Sequence, residues 1–229
     1  MIDSIINQFQ KTFIAEKRYA LFGTGFKNTL IISLVAAAIG ILIGVVVAIV
    51  KVNCHQTGKL KWLDKILSAY VDVIRGTPLA IQLMIMAFVV IPSNNYVMIA
   101  CIAFGLNSGA YVSEVIRAGI MAVDVGQMEA ARSLGLARMT AMKKIILPQA
   151  VKNILPALCN EFIAIIKETS IVGLIAVVDL TRASDIIRSR TYSAGMPLLA
   201  TALVYFILIK ILTTFTQRLE RRLARSDRG

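Results

Sequence analysis

Three stretches of this chain carry no charge: residues 28–50 (23 positions), 76–113 (38 positions) and 191–209 (19 positions). About 20 apolar residues of helix cross a bilayer core, so the first and third stretches each fit one span. The second is nearly long enough for two, and Ile91-Pro92-Ser93-Asn94-Asn95-Tyr96 lies in its middle. Pro, Ser and Asn in a row favour a tight turn between two helices. Of the 229 residues, 57% are apolar, and the mean hydropathy is +0.74. The expected fold is an all-α membrane protein with about five transmembrane helices: 28–50, a second ending near Ile91, 96–118, a fourth starting near Pro148, and 194–216.

A net charge of +12 would fit nucleic acid, but its placement points to topology instead. Lys51, Lys59, Lys61 and Lys65 follow the first span. Arg117, Arg132, Arg138, Lys143, Lys144 and Lys152 surround the centre, and Arg218, Arg221, Arg222, Arg225 and Arg228 fill the tail. With five spans all three clusters fall on one side, and Lys and Arg mark the cytoplasmic face. The N-terminus is then outside and the C-terminus cytoplasmic. The expected organisation is an external segment 1–27, one transmembrane domain 28–218 with a cytoplasmic loop 119–148, and a basic tail 219–229. Asp3, Lys11, Glu16, Lys17 and Arg18 interrupt the first segment, so it does not read as a cleaved signal. Cys54, Cys101 and Cys159 are an odd count and read as free apolar thiols, and His55, the one histidine, cannot build a metal site.

Small residues recur at Ala36, Gly40, Gly44 and Ala48, and at Gly105, Gly109 and Ser113. Such faces let membrane helices approach closely. Trp62, Leu63, Ile66, Leu67, Tyr70, Val73 and Ile74 recur at helical spacing opposite Lys61, Asp64 and Lys65, with Trp62 as an interfacial anchor. Arg75-Gly76-Thr77-Pro78 then breaks the pattern. Proline removes a donor and biases Thr77 away from helical angles, so a kink or short break is expected there. Residues 169–195, interrupted by Asp179, Arg182, Asp185, Arg188 and Arg190, read as an external segment with Ser170–Val178 dipping against the bundle.

The charged loop has its own pattern. A helix from about Gly126 to Leu134 would end at Gly135 in the left-handed conformation. A second, Ala137 to Ile146, would lead to Pro148 in the first turn of the next. Such a helix-turn-helix could enter a partner's groove or lie on lipid headgroups.

Glu129-Ala130-Ala131-x3-Gly135-x9-Ile145-x-Leu147-Pro148 resembles in full the cytoplasmic-loop motif of ABC importer permeases. "RGTPL" (75–79), "LNSGAYVSEVIRAGI" (106–120), "LPALCNEFIAIIKETSIVGLIAVVDLTR" (155–182) and "RLERR" (218–222) resemble permeases of polar amino acid importers, the histidine, glutamine and arginine group. The resemblance runs from about Gly25 to Arg222. It implies a type I ABC importer permease fold in the bacterial inner membrane and a second permease copy or paralogue. It also implies an extracytoplasmic solute-binding protein and two ATPase subunits, which would hold ATP and Mg and contact Glu129, Ala130, Ala131, Gly135, Leu147 and Pro148. Consistently, the chain has no Gly-x4-Gly-Lys-Ser/Thr phosphate loop, so no cofactor and no catalysis are expected of it.

Charges inside a span are costly and usually face a cavity or a partner. Glu161 lies thirteen residues past Pro148, about 20 Å along a helix, and Glu168 is two turns further on the same face. Asn107, Tyr111 and Glu114 share a face by their spacing of four and three. The five could line one polar cavity for a polar, basic amino acid. Otherwise Glu161 pairs with Lys152, Glu168 is a surface charge, and Glu114 pairs with Arg117. Arg75, Gly76, Thr77 and Pro78 would act as a gating kink. The alternative function is an ion-coupled secondary amino acid transporter with Glu161 and Glu114 as proton carriers; such carriers show internal repeats and more spans.

Overall fold

The uncharged runs become long helices because nothing in them competes with intrahelical hydrogen bonding. The computed structural model describes residues 2–57 and 60–225, and Lys59 and Arg228 of the charge clusters lie outside them. Ten α-helices follow in order among the described residues, and no strand. They are α1 (Ile2–Phe9), α2 (Tyr19–Thr57), α3 (Lys61–Gly76), α4 (Leu79–Ile85), α5 (Tyr96–Met121), α6 (Val125–Ser133), α7 (Arg138–Ala141), α8 (Leu147–Glu168), α9 (Leu180–Thr191) and α10 (Gly195–Arg225). By length and apolarity three of them can cross a membrane (α2, α5 and α10), and α3 with α4 and its π turn would make four if counted as one span. Helix α8 has 22 residues, about 33 Å at 1.5 Å per residue, and carries Lys152, Glu161, Lys167 and Glu168.

Helices α2 and α5 pack through the small-residue faces. A Cβ on Gly40 would stand 2.6 Å from Ser108 Oγ, and one on Gly44 would stand 2.5 Å from Val112 Cγ1. In return, Gly105 and Gly109 of α5 receive Ile39 and Ile43 of α2. Around this seam lies the main core: Ile32 and Ala36 of α2, Leu83 of α4, Ile99 and Phe104 of α5, and Ile165 of α8. Val172, Ile175 and Val177 join it, so the 3₁₀ turn Thr169–Ile175 does dip against the bundle. The segment then turns at Ala176, with φ +60°, into α9. Asp179 caps α9 by accepting from the Thr181 and Arg182 amides, both at 2.9 Å.

At Pro78 the chain turns far more sharply than a kink: α3 and the following helix are bent by 109°. Pro78 has no N–H for the Ile74 carbonyl one turn back. Gln82 Nε2 supplies the missing donor at 2.7 Å and also donates to Thr77 Oγ1 at 2.8 Å. A second departure lies before α8. Residues 138–168 run as one helical stretch with a π turn at Met142–Ile146, so Pro148 sits early in a continuing helix. Because Pro148 cannot donate, the register widens and the Leu147 amide reaches back to the Met142 carbonyl.

Candidate functional site

The five membrane polar residues fall into two groups. Asn107, Tyr111 and Glu114 turn toward the α3–α4 break. Asn107, buried, donates to Gln82 Oε1 at 3.0 Å, so the amide that mends the break is itself held by α5. The Arg75 guanidinium lies 5.3 Å from the Tyr111 ring centroid, within cation–π range. Glu114 takes three cations: Arg117 at 2.7 Å, Arg75 at 3.9 Å and Lys51 at 4.0 Å. Arg75 is thus directed at Tyr111 and Glu114 of α5.

Glu161 belongs to the other group. Its half-buried carboxylate faces Ser108, one position on from Asn107 and so on a different face of α5. The Ser108 hydroxyl is buried, 2% exposed, and the Glu161 carboxylate is the polar group beside it, with no hydrogen bond of good geometry between them. A buried hydroxyl left wholly unpaired costs about 1–3 kcal/mol, so a polar group bound beside Glu161 would improve on the poor geometry at Ser108. Glu168, exposed at the end of α8, lies within electrostatic range of Glu161. Two carboxylates and a hydroxyl there can accept an ammonium or guanidinium and donate to its carboxylate. Sequence reasoning missed Ser108, Gln82 and Lys51. Gln82 had a signal, as the one polar residue in the thirteen positions 79–91. Lys51 and Ser108 had none, because their partners lie on other helices.

The loop is built from its caps. Asp124 accepts from the Gly126 amide at 2.8 Å and starts α6. Gly135, with φ +83°, ends it: its amide donates to the Arg132 carbonyl at 3.0 Å and the Leu136 amide to Ala131 at 3.1 Å. This is the Schellman closure. Glu129 and Ala130 face outward, whereas Ala131 is 2% exposed and packs inward. Val125, Leu134 and Met139 stand out at 70, 83 and 62% exposure. Leu147 and Pro148 are exposed as well, at the foot of α8. At the opposite end of the bundle, Thr24, Asn28, Asn94, Asn95 and Val178 line an uncharged cleft of about 590 Å³.

Residues 40–225 match the family described as the binding-protein-dependent transport system inner membrane component. A putative glutamine transport system permease protein of Rickettsia conorii is 42% identical over 85% of this chain and 89% of its own. The arginine transport system permease protein of Bacillus subtilis is 41% identical over 89% and 92%. Among solved structures, an amino acid ABC transporter with histidines is 42% identical, with a TM-score of 0.82 over 92% of this chain and 98% of that one. The MetNI methionine ABC transporter, 20% identical with a TM-score of 0.73 over 91% and 99%, shares the fold.

Proposed function

The chain belongs to the binding-protein-dependent transport system inner membrane components, and we propose that it forms the path by which an ATP-driven importer admits a basic amino acid. It is a multi-pass inner-membrane permease subunit of an amino acid ABC importer and is itself non-catalytic. The observation that supports the substrate class is the carboxylate pair Glu161 and Glu168 with the buried Ser108 hydroxyl beside Glu161. An α-ammonium needs one negative partner, and a basic side chain adds a second positive group that the pair matches.

In this reading five spans place the basic clusters and the 119–148 loop in the cytoplasm, with the N-terminus outside. A partner ATPase dimer, which binds ATP and Mg, meets the outward face of α6 at Glu129 and Ala130. A binding protein delivers solute at the opposite end, and a second permease copy or paralogue completes the path. Closure of the ATPase pair moves the loop. The run from Arg138 to Glu168 stays helical through its π turn and Pro156, so that movement reaches Glu161 along one helical stretch.

The test is uptake of labelled arginine with the Glu161→Gln variant. A charged hydrogen bond contributes about 1.5–3 kcal/mol, so arginine should compete roughly ten- to a hundredfold less well, with glutamine less affected. Unchanged competition by arginine would remove Glu161 from the site.

A further inference from the structure

Helix α3 presents three faces where an amphipathic helix has two. Val71 is buried, and Leu63, Leu67, Tyr70 and Ile74 are half-buried; this face packs on Val47 of α2 and Ala110 of α5. Trp62, Ile66, Ala69 and Val73, spaced by four, three and four, form a second stripe, with Trp62, Ile66 and Val73 at 61, 55 and 60% exposure. Lys61 and Lys65 stand exposed beside that stripe, with Asp72 two turns further on.

The direction of the helix explains the second and third faces. Helix α4 runs back along α5, because Gln82 meets Asn107 and the Ile91–Tyr96 turn joins their other ends. Since α5 crosses the membrane, α4 stands along the membrane normal, and the 109° bend lays α3 close to the membrane plane. It lies where α5 reaches Leu106 to Glu114, since Tyr70 OH donates to the Leu106 carbonyl and Arg75 meets Glu114. A helix lying in the interface buries its apolar stripe among acyl chains and holds its lysines at headgroup level.

We propose that α3 is an in-plane helix that binds anionic phospholipid, with Lys61 and Lys65 on the phosphate and Trp62 at the boundary of headgroup and chain. At the other end of the helix Lys51, Arg75 and Arg117 share the carboxylate of Glu114, and with Asp72 counted the cations are still in excess along this edge. Asp72 lies away from the Lys61–Lys65 pair, and Asp64 is half-buried.

Trp62 is the only tryptophan in the chain, so the full-length protein reports on its own lipid contacts. It would be reconstituted in phosphatidylcholine bilayers containing either brominated phosphatidylglycerol or brominated phosphatidylcholine, and Trp62 quenching compared. Both lipids should quench, with phosphatidylglycerol favoured about five- to thirtyfold, from the attraction of one or both basic residues near the surface. The Lys61→Gln, Lys65→Gln double variant should lose that preference while quenching by brominated phosphatidylcholine persists, which also shows that the helix is still in place. Equal quenching by both lipids in the unmodified chain would overturn the headgroup site. Absence of quenching would overturn the in-plane placement, and a preference that survives in the double variant would overturn the assignment to the two lysines.

Discussion

At Gly135 a substitution series can separate backbone conformation from contact. The residue holds φ +83°, and a Cβ added to it would meet no atom within 4 Å. The only cost of a side chain is therefore the left-handed backbone, about 1–2 kcal/mol for an ordinary L residue. Asparagine visits this region readily, whereas a β-branched residue does so at a larger penalty. If φ turned negative, the closing bonds from Gly135 to Arg132 and from Leu136 to Ala131 would open, and Leu134 and Met139 would lose their relative placement. A cost of 1–2 kcal/mol corresponds to a factor of about 5–30 in the population of the native loop. Tagged chains with Gly135→Asn, Gly135→Ala and Gly135→Val would be purified from native membranes, and the copurifying ATPase and solute uptake measured side by side. Capture should fall in the order Gly, Asn, Ala, Val, with Gly135→Ala about 5–30-fold down and membrane insertion unchanged. A Gly135→Val chain that captures its ATPase and transports normally would refute the reasoning, because the loop geometry would then be irrelevant to coupling.

Gly109→Ala should lower the apparent melting temperature in detergent, since its Cβ would meet Ile43 side-chain atoms at 2.7 and 2.9 Å and overpacking costs about 1–3 kcal/mol. Gly23→Ala, with open space at the Cβ, should be neutral or stabilising through helix propensity; equal shifts in the two variants would sink the close-packed seam. Asp179→Ala should destabilise by about 2–4 kcal/mol, as it removes the α9 cap and the 3.3 Å acceptor of the Tyr205 hydroxyl. Asp179→Asn should keep most of the cap, and thermal unfolding followed at α9 decides between them. Burial pushes the Asp179 carboxyl up, against the amide hydrogen bonds that pull it down. The native state then favours its protonated form, so stability should fall as pH rises toward that raised value, and Asp179→Asn should flatten the slope.

The long helices were legible because exclusion of charge from hydrocarbon is a local property of the chain. The run 28–50 lies within α2, 96–118 within α5, and 194–216, but for its first residue, within α10. Helix α2 starts earlier, at Tyr19, because one charge such as Lys27 near its N-terminal end does not break a helix. The Gly135 turn was legible for the same reason, since its closure involves only residues 131–136. The angle at Pro78 was not. Proline announces a break, but its size depends on where Gln82 finds Asn107 and on α3 settling against α2 and α5. Glu114 was read with Arg117 in view, three residues away, whereas Lys51 and Arg75 come from distant sequence. On α3, periodicity merged Trp62, Ile66 and Val73 with Leu67, Tyr70 and Ile74 into one stripe, and only the packing separates the exposed residues from the covered ones.

In a membrane, apolar exposure and unsatisfied polarity carry different information about function. The apolar window of α10 is 6% buried against 67% for α5, and Leu199, Phe206 and Phe215 stand 71, 64 and 62% exposed. In water such a helix would demand a protein partner. Lipid tails are as apolar as leucine, so bare leucines and phenylalanines lose nothing there and do not say whether another subunit covers them. Polar groups obey the opposite rule, since hydrocarbon offers them no substitute for water. Ser108 is buried beside a half-buried carboxylate with no hydrogen bond of good geometry, whereas Asn107 one residue earlier donates to Gln82 at 3.0 Å. The difference between these two neighbours is the sharper guide to where solute could bind: Asn107 is engaged in holding the break, whereas Ser108 and Glu161 form the pair at which the proposed charged ligand would be tested.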